Sequence, residues 1–176
     1  MVHHWLGSVL IRGASLDQVI NWLQDYSHFA DHFQEVEESR LLSRNGEAFE
    51  VFLKFRRKKI RTVHYNTEHI VQYRHHGPDR ASSRTEAVKI AQLERPGTPD
   101  EREMPEGQDS GYLWRLNSYW RFKQEPEGTI VELQSISLSR GIPAPIRWLV
   151  APFVRSIPKQ TIESTMESIR KALALP

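Results

Sequence analysis

The chain has 176 residues, of which 39% are apolar and 26% charged, with 24 basic against 22 acidic side chains and a net charge of +2. These values predict one globular domain over 1–176 and exclude both a disordered chain and the basic excess of a dedicated nucleic-acid binder. The absence of cysteine excludes a disulfide framework, a thiolate metal site and a cysteine nucleophile, and no apolar run reaches the ~18 residues that a membrane span needs.

Val2 to Arg12 reads as a strand, with Trp5, Val9 and Ile11 on one face. That strand leaves no leader pattern at the start, so the expected location is cytoplasmic, or exported if a leader has been removed. After Gly13 and Ala14, Ser15 opens a helix with Gln18 three residues on, a capping box. Leu16, Val19, Ile20 and Leu23 follow the i, i+3, i+4, i+7 stripe of an amphipathic helix. A second short helix is predicted after Ser27, with Phe29, Phe33 and Val36 on its buried side.

A long run of strands follows. Asn45-Gly46 is the strongest hairpin signal, and a two-residue turn there pairs Leu42 with Phe49 and Arg40 with Val51. Beyond it, Phe49, Val51, Leu53 and Phe55 face one way, with Glu50 and Lys54 opposite. Further strands are predicted near Ile60 to Tyr73 and Arg80 to Glu94, joined by the turn Gly77-Pro78-Asp79. Glu94 to Gly111 is a polar surface connection, of a length often found in lids or mobile loops.

The last hairpin constrains itself on both faces. Tyr112 to Phe122 turns through Glu125-Pro126-Glu127-Gly128 into Thr129 to Arg140. Trp120 then opposes Leu133, Phe122 opposes Val131, Ser118 opposes Ser135, and Leu116 opposes Ser137. On the other face Arg121 meets Glu132, a favourable cross-strand pair. A slip of one residue would destroy both arrangements.

The chain closes in a helix predicted from about Pro158 to Leu175, with an apolar seam of Ile162, Met166, Ile169 and Leu173. Glu163, Glu167, Arg170 and Lys171 lie opposite. Before it, Ile142 to Pro158 is apolar and punctuated by proline, and Pro152 is expected to kink it.

This order resembles the START or SRPBCC superfamily, which includes polyketide-cyclase-like proteins, pollen allergens and lipid-transfer domains. The likeness rests on GSVLIRGASLDQVINWLQDY for the first strand and helix, on YWRFKQEPEGTIVELQSISL for the last hairpin, and on SIPKQTIESTMESIRKAL for the closing helix. It implies an α+β helix-grip fold: a curved antiparallel sheet of six or seven strands around a long C-terminal helix, with two short helices after the first strand. It also implies a cavity between sheet and helix. Members of the superfamily bind lipids, sterols, polyketides and hormones, and some are enzymes; no catalytic residue set of an enzymatic member maps onto this chain, so fold speaks more strongly here than function.

On that basis the candidate cavity lining is Phe49, Val51, Leu53, Phe55, Trp114, Leu116, Ser118, Trp120, Phe122, Val131, Leu133, Ser135, Ser137, Ile162, Met166 and Ile169. Ser118, Ser135 and Ser137 could orient a polar head in an apolar pocket or simply make room for the helix. Ile146, Trp148, Leu149 and Phe153 are the candidate gate, or else an ordinary first part of the helix; such a segment could also meet a membrane surface.

His28 and His32 stand at i, i+4 with Asp31 beside them, a metal-compatible spacing without a third ligand. The pairs His3-His4 and His75-His76 point oppositely along a strand. His64 and His69 could reach the cavity, where a histidine can act as general acid or base. Lys54, Arg56, Arg57, Lys58, Lys59 and Arg61 form a basic run at a hairpin tip, either a solvated turn or a contact for anionic headgroups. The expectation is a binder or carrier of a hydrophobic small molecule or lipid, with transient membrane-surface contact, no nucleic acid, no metal and no cofactor. The alternatives are an enzyme of the polyketide cyclase or dehydratase type in the same cavity, and a membrane-docking domain.

Overall fold

The computed structural model describes residues 1–58, 62–110, 113–139 and 147–173, of which 58 and 147–158 are described by backbone alone. Strand β1 (Val2–Arg12) turns Trp5, Val9 and Ile11 to one side and leaves Leu6 and Ser8 exposed. Helix α1 (Leu16–Leu23) begins at the expected capping box. The Ser15 hydroxyl accepts from the Gln18 N–H at 3.2 Å, and Gln18 Oε1 accepts from the Ser15 N–H at 2.8 Å. Leu16, Val19, Ile20 and Leu23 are its buried face.

A 3-10 turn (Tyr26–His28) leads into the four-residue α2 (Phe29–His32). Val36 does not belong to that helix. Phe33 has already gone to extended backbone, and Val36 is the buried first residue of β2 (Val36–Asn45). Its partner β3 (Ala48–Lys58) pairs in a register other than the expected one: Phe49 opposes Arg44 and Val51 opposes Leu41. The turn's central residues are Gly46 and Glu47, with Asn45 opposite Ala48. Only Gly46, at φ 58°, takes the left-handed region there, which is the type II′ pattern with glycine first. A bulge at Leu42 then shifts the pairing again.

The sheet continues with β4 (Thr62–His75), β5 (Arg80–Glu94), the two-residue β6 (Arg102–Glu103), β7 (Arg115–Glu125) and β8 (Gly128–Leu138). Its order is β1-β8-β7-β5-β4-β3-β2, every pairing antiparallel, with β6 attached to β5. The β7–β8 register is the expected one at every named pair, from Leu116↔Ser137 to Phe122↔Val131, with Arg121 paired to Glu132 on the outer face.

The polar connection after β5 is strapped to the sheet's outer face. Glu101 accepts from Lys54 at 2.8 Å, Glu103 from Asn66 at 3.0 Å, and the Met104 N–H donates to the Gln92 carbonyl at 2.8 Å. Its Glu101 to Met104 stretch covers β3, β4 and β5 from outside, while Ser110 donates to Gln92 Oε1, a side chain in register with Tyr65 of the inner face.

Helix α3 (Arg147–Leu173) is longer than expected. It starts at Arg147 rather than near Pro158, because Pro152 and Pro158 each remove one backbone donor without ending the run. Ile162, Met166 and Ile169 are buried as the seam requires. Thr161 Oγ1 accepts from Arg57 of β3, and Glu35 accepts from the same guanidinium at 2.8 Å. The next residue, Ile162, packs on Gly7 of β1. Neighbours on one helix thus touch β3 and β1, five places apart in the strand order, so the sheet curls round α3 and grips it.

Candidate ligand-binding face

The strand register places the inner-face side chains in transverse rows. One row runs Gly7, Leu133, Trp120, Ser83, Tyr73 across β1, β8, β7, β5 and β4. The next runs Trp5, Ser135, Ser118, Thr85, Val71, Phe49 and reaches β3. Three hydroxyls, on Ser135, Ser118 and Thr85, therefore stand side by side on neighbouring strands, flanked by the Trp5 and Val71 side chains. All three are partly accessible.

The inner face is graded along the strands. Phe49, Val51, Leu53, Phe122, Val131 and Ile169 belong to one packed cluster with α1, Tyr26 and Tyr73, and Phe55 packs at its border. Leu133, Ile162 and Met166 form a second cluster with Trp5, Val9 and Trp120. Leu116, Ser118, Ser135 and Ser137 lie towards the other end and are only partly buried. Trp114 departs from expectation: it precedes β7 and is 47% exposed, with its N–H donating to the Leu138 carbonyl at 2.8 Å. The inward alternation does not reach it because the strand starts one residue later. Of the candidate gate, Ile146 lies outside the described residues, and so do the side chains of Trp148, Leu149 and Phe153.

Strand β4 places His69, one of the two histidines expected to reach the cavity, on the inner face and adds residues that the sequence pattern hides. Its inner face is Tyr65, Thr67, His69, Val71 and Tyr73, all buried. The segment YNTEHIVQY shows no apolar alternation, because the inward positions carry hydroxyls and an imidazole. The register against Phe49, Val51, Leu53 and Phe55 is the signal that reveals them. Thr67 Oγ1 donates to the Leu53 carbonyl at 2.9 Å and lies 2.8 Å from His69 Nε2. Burial lowers the His69 pKa to about 4. The Tyr26 and Tyr73 hydroxyls meet at 3.1 Å; burial pushes Tyr73 up to about 12 and Tyr26 well above the ordinary phenol value. At the far end His3 Nε2 lies 2.9 Å from Ser139 Oγ, and burial lowers its pKa too.

The other candidate groups are occupied elsewhere. His64 Nδ1 faces Glu37 at 2.7 Å on the outer face, not the inner one. His28 pairs with Asp25 at 2.7 Å, while His32 stacks on Trp22. Among the described residues no three His, Asp or Glu side chains converge on a metal-sized site. The basic run is neutralised where it is described: Lys54 pairs with Glu101, Arg56 with Glu37 and Arg57 with Glu35. Among the described residues no helix is long and apolar enough to cross a membrane.

The fold is that of solved START-superfamily structures. A STAR-related lipid transfer protein from Xanthomonas axonopodis matches with TM-score 0.68 and 21% identity over 98% of this chain and 86% of that one. A START superfamily protein from Mycobacterium smegmatis matches at 0.63 and 11% identity, covering 97% of each chain. The Zhui aromatase/cyclase from Streptomyces matches at 0.62 and 12% identity, over 98% of this chain and 94% of that one. No protein-family model and no curated protein matches the chain. Identities this low carry the fold and leave the ligand open.

Proposed function

We propose that the chain binds a hydrophobic small molecule or lipid between the inner face of its sheet and α3, and carries it rather than transforming it. The observation behind this reading is the hydroxyl row Ser135–Ser118–Thr85, partly accessible and bordered by Trp5 and Trp120, on a mostly apolar face gripped by a helix. An apolar lining with a few placed polar groups is what a small-molecule pocket needs. The fold likeness to a lipid transfer protein supports the same reading. In this proposal the partners are the ligand and, transiently, a membrane surface. Nucleic acid is not among them, because Lys54, Arg56 and Arg57 face glutamates.

A second reading, cyclisation or dehydration within the same face, draws on the likeness to an aromatase/cyclase. It needs a base at the reacting carbon. The inner-face histidines withdrawn from solvent, His3 and His69, are both less basic than a free imidazole, which favours carriage.

Native mass spectrometry of freshly purified protein tests the proposal and identifies the ligand class. In parallel, anilinonaphthalene sulfonate should bind with a rise in its emission and quench Trp120. Leu133→Trp, which fills space beside Trp120, should weaken that binding while the protein stays folded. No co-purified molecule and no probe binding would refute carriage.

A further inference from the structure

We infer that His69 is the polar anchor of the ligand site, a fixed hydrogen-bond acceptor that selects apolar molecules carrying a hydroxyl donor. The inference rests on the carriage reading and names the class of ligand. It starts from Thr67. A carbonyl only accepts, so the single proton of the Thr67 hydroxyl is committed to the Leu53 carbonyl. The 2.8 Å contact between Thr67 Oγ1 and His69 Nε2 must then be bridged by the imidazole's own proton. His69 is therefore the Nε2–H tautomer, and its Nδ1 carries a lone pair.

That lone pair has no hydrogen-bond partner among the described residues, although His69 is only 4% exposed. Buried acceptors are nearly always paired, and a bare one calls for an explanation. Among the described residues no donor reaches it. Val51 and Ala87 are its cross-strand neighbours, and the Phe55 ring meets the imidazole edge to face, with centroids 6.2 Å apart. His69 stands on the inner face, as do the serine and threonine hydroxyls of β5, β7 and β8. A ligand hydroxyl donating to Nδ1 would complete the relay from ligand through His69 and Thr67 to the Leu53 carbonyl. A ketone, ether or carboxylate would instead set one acceptor against another.

The test compares β-naphthol with its methyl ether, which keeps the ring and oxygen but lacks the donor, on the whole chain. Wild type should bind β-naphthol about tenfold tighter, the ratio that one net hydrogen bond gives. His69→Phe should bind both equally, and His69→Gln, which offers a carbonyl acceptor, should keep part of the preference. Nitrogen NMR of histidine-labelled wild type needs no variant. The pyridine-type Nδ1 resonance of His69 should move upfield with β-naphthol and stay in place with the ether. Equal binding of both probes with an unmoved resonance would overturn the anchor and leave carriage standing. Failure of wild type to bind either probe would overturn carriage and the anchor together.

Discussion

A β-carbon added to Gly7 would lie 2.2 Å from Ile162 Cγ2, so α3 rests directly on the backbone of β1. The methyl it meets sits on a β-branched carbon and cannot swing aside as the tip of a longer side chain would. Gly7→Ala should therefore destabilise the protein by about 1–3 kcal/mol through overpacking. Ile162→Ala alone should cost about 2–5 kcal/mol. The double variant should cost less than the two together, with a coupling of about 0.5–3 kcal/mol in a urea-denaturation cycle. Simple additivity would mean that helix and strand do not meet there.

Met166 lies one helical turn further on, 7% exposed, with its Cε 3.8 Å from the same added carbon. Met166→Asp would place a charge among Leu133, Trp5, Val9 and Trp120 of the sheet. The expected loss is about 3–5 kcal/mol, read as a large fall in melting temperature. An unchanged melting temperature would remove α3 from the grip.

Thr67, fully buried, holds both the Leu53 carbonyl and His69. Thr67→Val keeps the shape but strips both partners, and should cost about 1–3 kcal/mol. Thr67→Ser keeps the hydroxyl and loses only a methyl, about 0.8 kcal/mol. Chemical denaturation of the pair checks the order; a serine variant as unstable as the valine one would assign the effect to packing.

His69 also predicts a pH dependence. Its folded pKa of about 4 lies below the ordinary 6.5 because of burial, and the groups facing it, Val51, Phe55, Thr67 and Ala87, carry no charge. The unfolded chain therefore takes up this proton first as the pH falls. The contribution is complete above pH ~6.5 and is lost progressively down to pH ~4, up to about 3 kcal/mol. His69→Gln should lose less stability than wild type between pH 7.5 and 5, as guanidinium unfolding would report. Parallel losses would place the acid sensitivity on other groups.

The amino-acid sequence by itself determined the elements whose signals are local or doubly constrained. The Ser15–Gln18 box sets the start of α1 through groups three residues apart. The β7–β8 register is legible because Arg121–Glu132 on one face and Trp120–Leu133 on the other demand the same pairing. The Ile162, Met166, Ile169 seam shows which side of α3 is buried. Where a choice rested on one residue's backbone, the reading failed: the β2–β3 register followed the left-handed φ of Gly46 and the bulge at Leu42. Trp114 followed the point where β7 begins. Only the tertiary structure decided which polar residues of β4 are buried. His64 and His69 are equal candidates for the cavity in sequence, and Thr67 gives no signal; pairing with β3 turns Thr67 and His69 inward, where Thr67 bonds the Leu53 carbonyl of the neighbouring strand, and leaves His64 outside. Hydrogen bonds and burial of that kind depend on residues distant in sequence, and no local pattern encodes them.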